Sequence, residues 1–118
     1  MSNTSNNITQ LMPKELFVFG SNISGIHGDG AAKRAFEDFG AEWGVGAGIT
    51  GKCYAIPTME GIDSLRKYVE QFITVAGLLP EYTFLLTKVG CGIAGHSEDE
   101  IRPLFADAPP NVIKPKGW

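Results

Sequence analysis

Two glycine-rich stretches, each set between an apolar run and a helix-like run, constrain this chain more than any other feature. The first is Gly20-Ser21-Asn22-Ile23-Ser24-Gly25-Ile26-His27-Gly28-Asp29-Gly30, and the second is Val89-Gly90-Cys91-Gly92-Ile93-Ala94-Gly95-His96. Glycine at a strand-to-helix turn lets backbone N–H groups approach a ligand closely, and the helix N-terminus behind the turn adds partial positive charge. Two such turns on one sheet edge predict a cradle for an anion, above all a diphosphate. Each stretch also carries one of the chain's two histidines, His27 and His96.

The glycine content belongs to these loops rather than to general flexibility. Glycine makes up 15 of 118 residues, against a background of roughly 7%, and most of the excess falls in 20–51 and 90–95. The length suits one domain with a real core. Residues 1–13, rich in Asn, Ser and Thr, read as a flexible lead-in, with Ile8 to Met12 open to a short edge strand. Residues 14–118 read as the single folded domain. A net charge of −3 and a pI of about 5.3 argue against broad binding to long nucleic acids, which needs a basic face. They leave room for a nucleotide held by backbone N–H groups. No apolar stretch approaches a membrane span and the N-terminus lacks an apolar signal region. The expectation is a reduced, cytoplasmic protein with no membrane partner, its Cys53 and Cys91 buried as free thiols.

Along the chain, Leu16-Phe17-Val18-Phe19 reads as a strand buried on both faces and ending at Gly20. Residues 30–39 show helical spacing, with Asp29 as cap and Gly40 as stop. Residues 41–52 read as a loop. Cys53 to Ile56 form a strand closed by Pro57, and 63–76 form the clearest helix, ended by Gly77 and Pro80. Thr83 to Val89 make a strand leading into the second loop. Ser97-Glu98-Asp99-Glu100 matches a capping box at the head of a helix that Pro103 keeps short, and Asn111-Val112-Ile113 is a last strand. The order β-α-β-α-β-α-β predicts a three-layer α/β fold with a largely parallel or mixed sheet, and both glycine loops leave strand carboxyl ends, where such sheets bind ligands.

Standard motifs do not account for the loops. Gly25, Gly28 and Gly30 read G-x-x-G-x-G rather than a Rossmann fingerprint. Gly51-Lys52 is followed by Cys53, so there is no P-loop, and neither a nucleophile elbow nor a metal-ligand spacing occurs. Nothing calls for a cofactor. Several side chains have two readings. Asn22 is a ligand contact or a turn former bonding its own backbone. His27 and His96 are ligand contacts, with acid–base capacity, or solvated loop residues. Asp29 is a helix cap or a base. Cys91 is structural, or a thiol activated by a helix N-terminus. Trp43, Tyr54 and Trp118 stack on a base or simply pack. Glu98, Asp99 and Glu100 read as the acidic first turn of a helix.

The pattern Asn22-x-x-Gly25-x-His27-Gly28-x-Gly30-Ala31-Ala32 followed by Phe36 resembles the first ligand loop of macrodomains, and Val89-Gly90-Cys91-Gly92-Ile93-Ala94-Gly95 resembles their second. The resemblance covers roughly residues 16 to 113, and the compact layout looks like small macro-like proteins of bacteria and their phages. It implies a macro-like α/β/α sandwich with a pocket of ADP-ribose type. Gly28, Asp29, Gly30 and Ala31 would line one side, together with Gly20, Ser21 and Gly25. Gly90, Cys91, Gly92, Ile93, Ala94, Gly95 and His96 would line the other, and Asn22 would reach the distal ribose. In the tryptophan position of the first loop this chain has His27, and the acidic residue that holds adenine has no clear counterpart. The resemblance implies capture of an NAD-derived nucleotide, in a phage setting a sponge for an immune signal. The alternatives are a hydrolase of an ADP-ribose derivative, with Asn22, His27 and Asp29 activating water, and a non-catalytic scaffold. Exposed apolar surface on the short helices would favour a homo-oligomer.

Overall fold

A computed structural model describes residues 8, 10–28, 30–92 and 94–118. They form a mixed α/β fold. Strand β1 (Glu15–Ser21) is followed by helix α1 (Gly30–Asp38), strands β2 (Gly48–Thr50) and β3 (Cys53–Pro57), helix α2 (Ile62–Leu78) and strand β4 (Thr83–Leu86). A short helix α3 (Glu98–Ile101) then runs into a 3-10 turn over Arg102–Phe105, and β5 (Val112–Ile113) closes the sheet. The sheet order is β2-β3-β1-β4-β5. Strands β3, β1, β4 and β5 are parallel, with Phe17 opposite both Cys53 and Leu85. Edge strand β2 runs antiparallel to β3.

Alternation along β1 divides the core in two, as a strand with both faces covered requires. Leu16 and Val18 point into a cluster with Tyr54, Ile56, Phe84, Leu86, the buried stripe of α2 (Leu65, Val69, Phe72, Ala76), Ile101 and Phe105. Phe17 and Phe19 point the other way, toward Cys53, Ala55, Ala32 and Ala35 of α1, and Phe39. Small residues on α1 let it lie close to the sheet. Ile8, within the expected lead-in, is buried in this second cluster, and its carbonyl accepts from the Arg34 guanidinium.

Three local expectations are corrected. The stretch 41–52 is not all loop: Gly48–Thr50 pairs with β3 through the two-residue connection Gly51-Lys52, where Gly51 adopts φ +57°. Such a tight turn needs a positive φ, which glycine supplies without strain. Helix α2 runs through Gly77 to Leu78 rather than stopping there. Its end is satisfied from a distance: Asn111 Nδ2 lies 3.0 Å from each of the Ala76, Leu79 and Tyr82 carbonyls. Among the described residues of 8–12 none is in a strand. The capping box forms as expected, Ser97 Oγ accepting from the Glu100 amide at 3.2 Å and Glu100 Oε1 accepting from the Ser97 amide at 3.0 Å.

Candidate functional site

After β1 the chain crosses to β3 on one side, and after β3 it crosses back to β4 on the other. After β4 the chain goes on outward to β5, so the segments leaving β1 and β4 diverge and a crevice opens between their carboxyl ends. A cleft of about 460 Å³ occupies this position, within the roughly 300–1,000 Å³ of small-molecule sites. Its walls come from three parallel strand ends: Gly20 and Ser21 at the end of β1 with Asn22 after it, Thr58 and Met59 after β3, and Thr87 to Gly90 after β4. Ile26, Gly28, Gly30, Ala31 and Ala32 complete the first side, and Gly92 and Ala94 the second.

Two threonines fix the floor. The Thr58 amide and hydroxyl both donate to the Ser21 carbonyl, at 2.8 and 3.2 Å. The Thr87 amide and hydroxyl both donate to the Val18 carbonyl, at 3.2 and 2.7 Å. The two loops meet closely here, since a Cβ on Gly20 would lie 3.4 Å from the Gly90 nitrogen. By contrast, a Cβ on Gly28 or Gly92 would meet nothing within 4 Å. At those two positions bare backbone faces open space.

Asn22 lines the cleft, but both ends of its amide serve its own loop. Nδ2 donates to the Ile26 carbonyl at 2.9 Å, and Oδ1 accepts from the Ile26 amide at 3.0 Å. With the Asn22 carbonyl accepting from Gly25 N–H at 2.9 Å, residues 22–26 form a closed turn. Its side chain thus acts as the turn former that the sequence allowed as one of two readings. Behind this turn, Gly25 and Gly46 let the segment 41–46 press backbone to backbone against it, and the Gly44 amide donates to the Gly25 carbonyl at 2.8 Å.

His27 does not face the cleft, which corrects its candidate role as an acid or base there. It is 1% exposed and packs edge-on against Phe19 and Trp43, at 5.4 and 6.0 Å between centroids. Its Nε2 lies 2.9 Å from the Glu42 carbonyl oxygen; a carbonyl only accepts, so this nitrogen carries a hydrogen. Nδ1 has no partner among the described residues. The imidazole bonds the 41–46 segment from beneath the loop. Asp29 and Ile93, also candidates, lie outside the described residues.

On the second loop, Gly90, Gly92 and Ala94 line the cleft while Cys91, Gly95 and His96 do not. The loop is closed by its own backbone, the His96 amide bonding Gly90 O at 2.9 Å and the Gly95 amide bonding Gly92 O at 3.0 Å. Cys91 is half-buried against the larger core cluster. Burial and the Glu98 carboxylate push its thiol up, Lys88 only partly opposing them. The activated thiol is therefore not found, because the helix after this loop begins several residues on with an acidic turn. Tyr54 is in the core, Trp43 packs on Phe36 and His27, and Trp118 packs on Phe105; none of the three lines the cleft.

Sequence reasoning missed Thr58, Met59, Thr87 and Lys88. Lys88 is the one charged side chain lining the cleft among the described residues. Its ammonium lies 3.3 Å from Glu98 Oε2. Glu98 Oε1 accepts from Trp118 Nε1 at 2.8 Å, and that bond first, then Lys88, holds the Glu98 carboxyl below its ordinary range. Among the described residues no helix is long and apolar enough to cross a membrane. No protein-family model, no curated protein and no solved structure matches the chain.

Proposed function

We propose that this protein captures ADP-ribose or a related NAD-derived nucleotide between its two glycine loops and holds it intact, sequestering it as a signal. The observation that carries this reading is the cleft at the divergence of β1 and β4, walled on both sides by glycine backbone. A diphosphate there would meet the first turn of α1 at Ala31 and Ala32. An α-helix leaves the N–H groups of that turn without intrahelical partners. The opposite wall offers the bare backbone at Gly92. The two core clusters on opposite sheet faces support the companion reading of the fold as a three-layer α/β/α sandwich of macrodomain type.

Capture fits the lining better than turnover does. Among the described residues the cleft presents backbone, apolar side chains, the Asn22 amide and hydroxyls that donate to backbone carbonyls, with Lys88 as the one titratable group. General acid–base chemistry needs a group within hydrogen-bond reach of the reacting atoms, and His27 is turned away.

Calorimetric titration with ADP-ribose and with cyclic and conjugated ADP-ribose derivatives, followed by chromatography of each mixture, tests the reading. Binding with the ligand recovered intact is expected. Conversion to a new product would replace capture by hydrolysis and identify the scissile bond. Absence of heat with every nucleotide would overturn nucleotide binding and leave a scaffold.

A further inference from the structure

Among the described residues, the one charged side chain lining the cleft is held by an opposing charge. Lys88 follows Thr87, whose two bonds to the Val18 carbonyl fasten this stretch of backbone to β1. Glu98, at the head of α3, reaches back to the Lys88 ammonium at 3.3 Å. The other acids of that turn are engaged elsewhere, Asp99 with Arg102 at 2.8 Å and Glu100 in the capping box with Ser97. Glu98 alone of the three is aimed at the cleft's cation. Its other oxygen is anchored by Trp118 Nε1, so the carboxylate is positioned from two directions.

An ion pair with side chains 37% and 45% exposed is weakly held, because water screens both charges and ordering two long side chains costs entropy. A phosphate, with its higher charge and more acceptor oxygens, outcompetes a carboxylate for the same ammonium. We propose that Lys88 is the phosphate-binding cation of the cleft and that Glu98 is its resident competitor, which ligands must displace. The pair then selects for charge. A diphosphate displaces Glu98 and gains Lys88, whereas a neutral nucleoside leaves the pair closed and gains nothing from it. This rests on the nucleotide-capture reading for the identity of the ligand, but the charge selection itself does not require the nucleotide.

The test uses Glu98→Gln, Lys88→Gln and the double variant, titrated with ADP-ribose, inorganic pyrophosphate and adenosine. Glutamine keeps an amide oxygen for Trp118 Nε1 while removing the charge that holds Lys88. Both side chains are partly exposed, so thermal melts are expected to stay with the wild type. Glu98→Gln is expected to tighten ADP-ribose binding about two- to five-fold, and Lys88→Gln to weaken it about ten-fold. In the Lys88→Gln background, Glu98→Gln is expected to change nothing, and adenosine binding is expected to ignore all three variants. The proposal is overturned if Glu98→Gln leaves ADP-ribose affinity unchanged or lowers it, or if its gain persists without Lys88. Pyrophosphate separates the two claims. If it binds with the expected dependence while ADP-ribose does not bind, nucleotide capture fails and charge selection stands. If neither ligand binds, both fall.

Discussion

Replacing Gly46 by alanine tests whether the first glycine loop is shaped by the chain clasped behind it. A Cβ at Gly46 would come 2.1 Å from the Asn22 carbonyl oxygen and 2.8 Å from both the carbonyl carbon and oxygen of Ile23. Even favourable carbon–oxygen contacts stay beyond about 3.3 Å, so the two segments must part by about 1 Å. Every atom in the way is backbone, with no flexible side chain to yield. Overpacking of this kind costs about 1–3 kcal/mol. At roughly 4 °C per kcal/mol for a domain of this size, Tm falls by about 4–12 °C. The Asn22 carbonyl also accepts the Gly25 amide at 2.9 Å. Displacing it loosens the turn that presents Asn22 and Ile26 to the cleft, so ADP-ribose affinity falls as well. Gly28→Ala is the control. Its Cβ meets nothing within 4 Å, yet Gly28 lines the cleft. It should keep the wild-type Tm within about 2 °C and lose affinity. Differential scanning calorimetry and isothermal titration read the two effects separately. If Gly46→Ala melts and binds like the wild type, the clasp does not shape the loop.

Two further outcomes follow from the core. Phe72 is fully buried, with ring centroids 5.1 Å from Tyr54, 5.5 Å from Phe84 and 6.0 Å from Phe105. Phe72→Ala should therefore cost about 3–5 kcal/mol in urea denaturation, and a loss under about 1 kcal/mol would show that the ring cluster is not tightly packed. Burial pushes the Cys53 thiol from 9.0 to about 12, its backbone hydrogen bond only partly offsetting this. Its folded pKa is the raised one, so its contribution is complete below pH 9 and is lost as pH rises toward about 12. The slope is at most about 1.4 kcal/mol per pH unit. Cys53→Ala should flatten that alkaline limb relative to the wild type, whatever its effect at neutral pH, and an unchanged slope would contradict the buried, protonated thiol.

What the residues reveal before folding depends on whether a signal is local. The apolar run at 16–19, the stripe of α2 and the capping box at Ser97 are local patterns, and each reappears in its element. Strand β2 was hidden because three residues, two of them Gly48 and Thr50, carry too little periodicity to separate from a loop. The two-residue Gly51-Lys52 connection was the available clue. Gly77 reads as the end of α2, yet the helix passes it, because the group that meets the Ala76 carbonyl, Asn111, lies more than thirty residues away in sequence. The same distance problem shaped the site. Thr58, Thr87 and Lys88 reach the cleft only because parallel β3 and β4 flank β1, a pairing that no short motif encodes. His27 sits in a ligand-type loop yet packs inward. Which way a loop side chain turns is decided by its neighbours, here Phe19, Trp43 and the Glu42 carbonyl.

The glycine excess, read from sequence as one signal, serves two separate ends in the fold. At Gly25, Gly46 and Gly51 an added Cβ would run into backbone whose nearest atom is 2.1 to 2.2 Å away. At these positions hydrogen replaces a side chain so that two stretches of chain can touch. At Gly28 and Gly92 there is open space, and the missing side chain instead leaves backbone bare toward the cleft. The first kind builds the loop and the second kind presents it. Under the capture proposal a preformed loop matters because every residue ordered on binding subtracts from affinity, and the turn at 22–26 is already closed by Asn22 and held by 41–46. Under the capture proposal, selectivity then depends on Lys88, the one charged side chain that lines the cleft among the described residues.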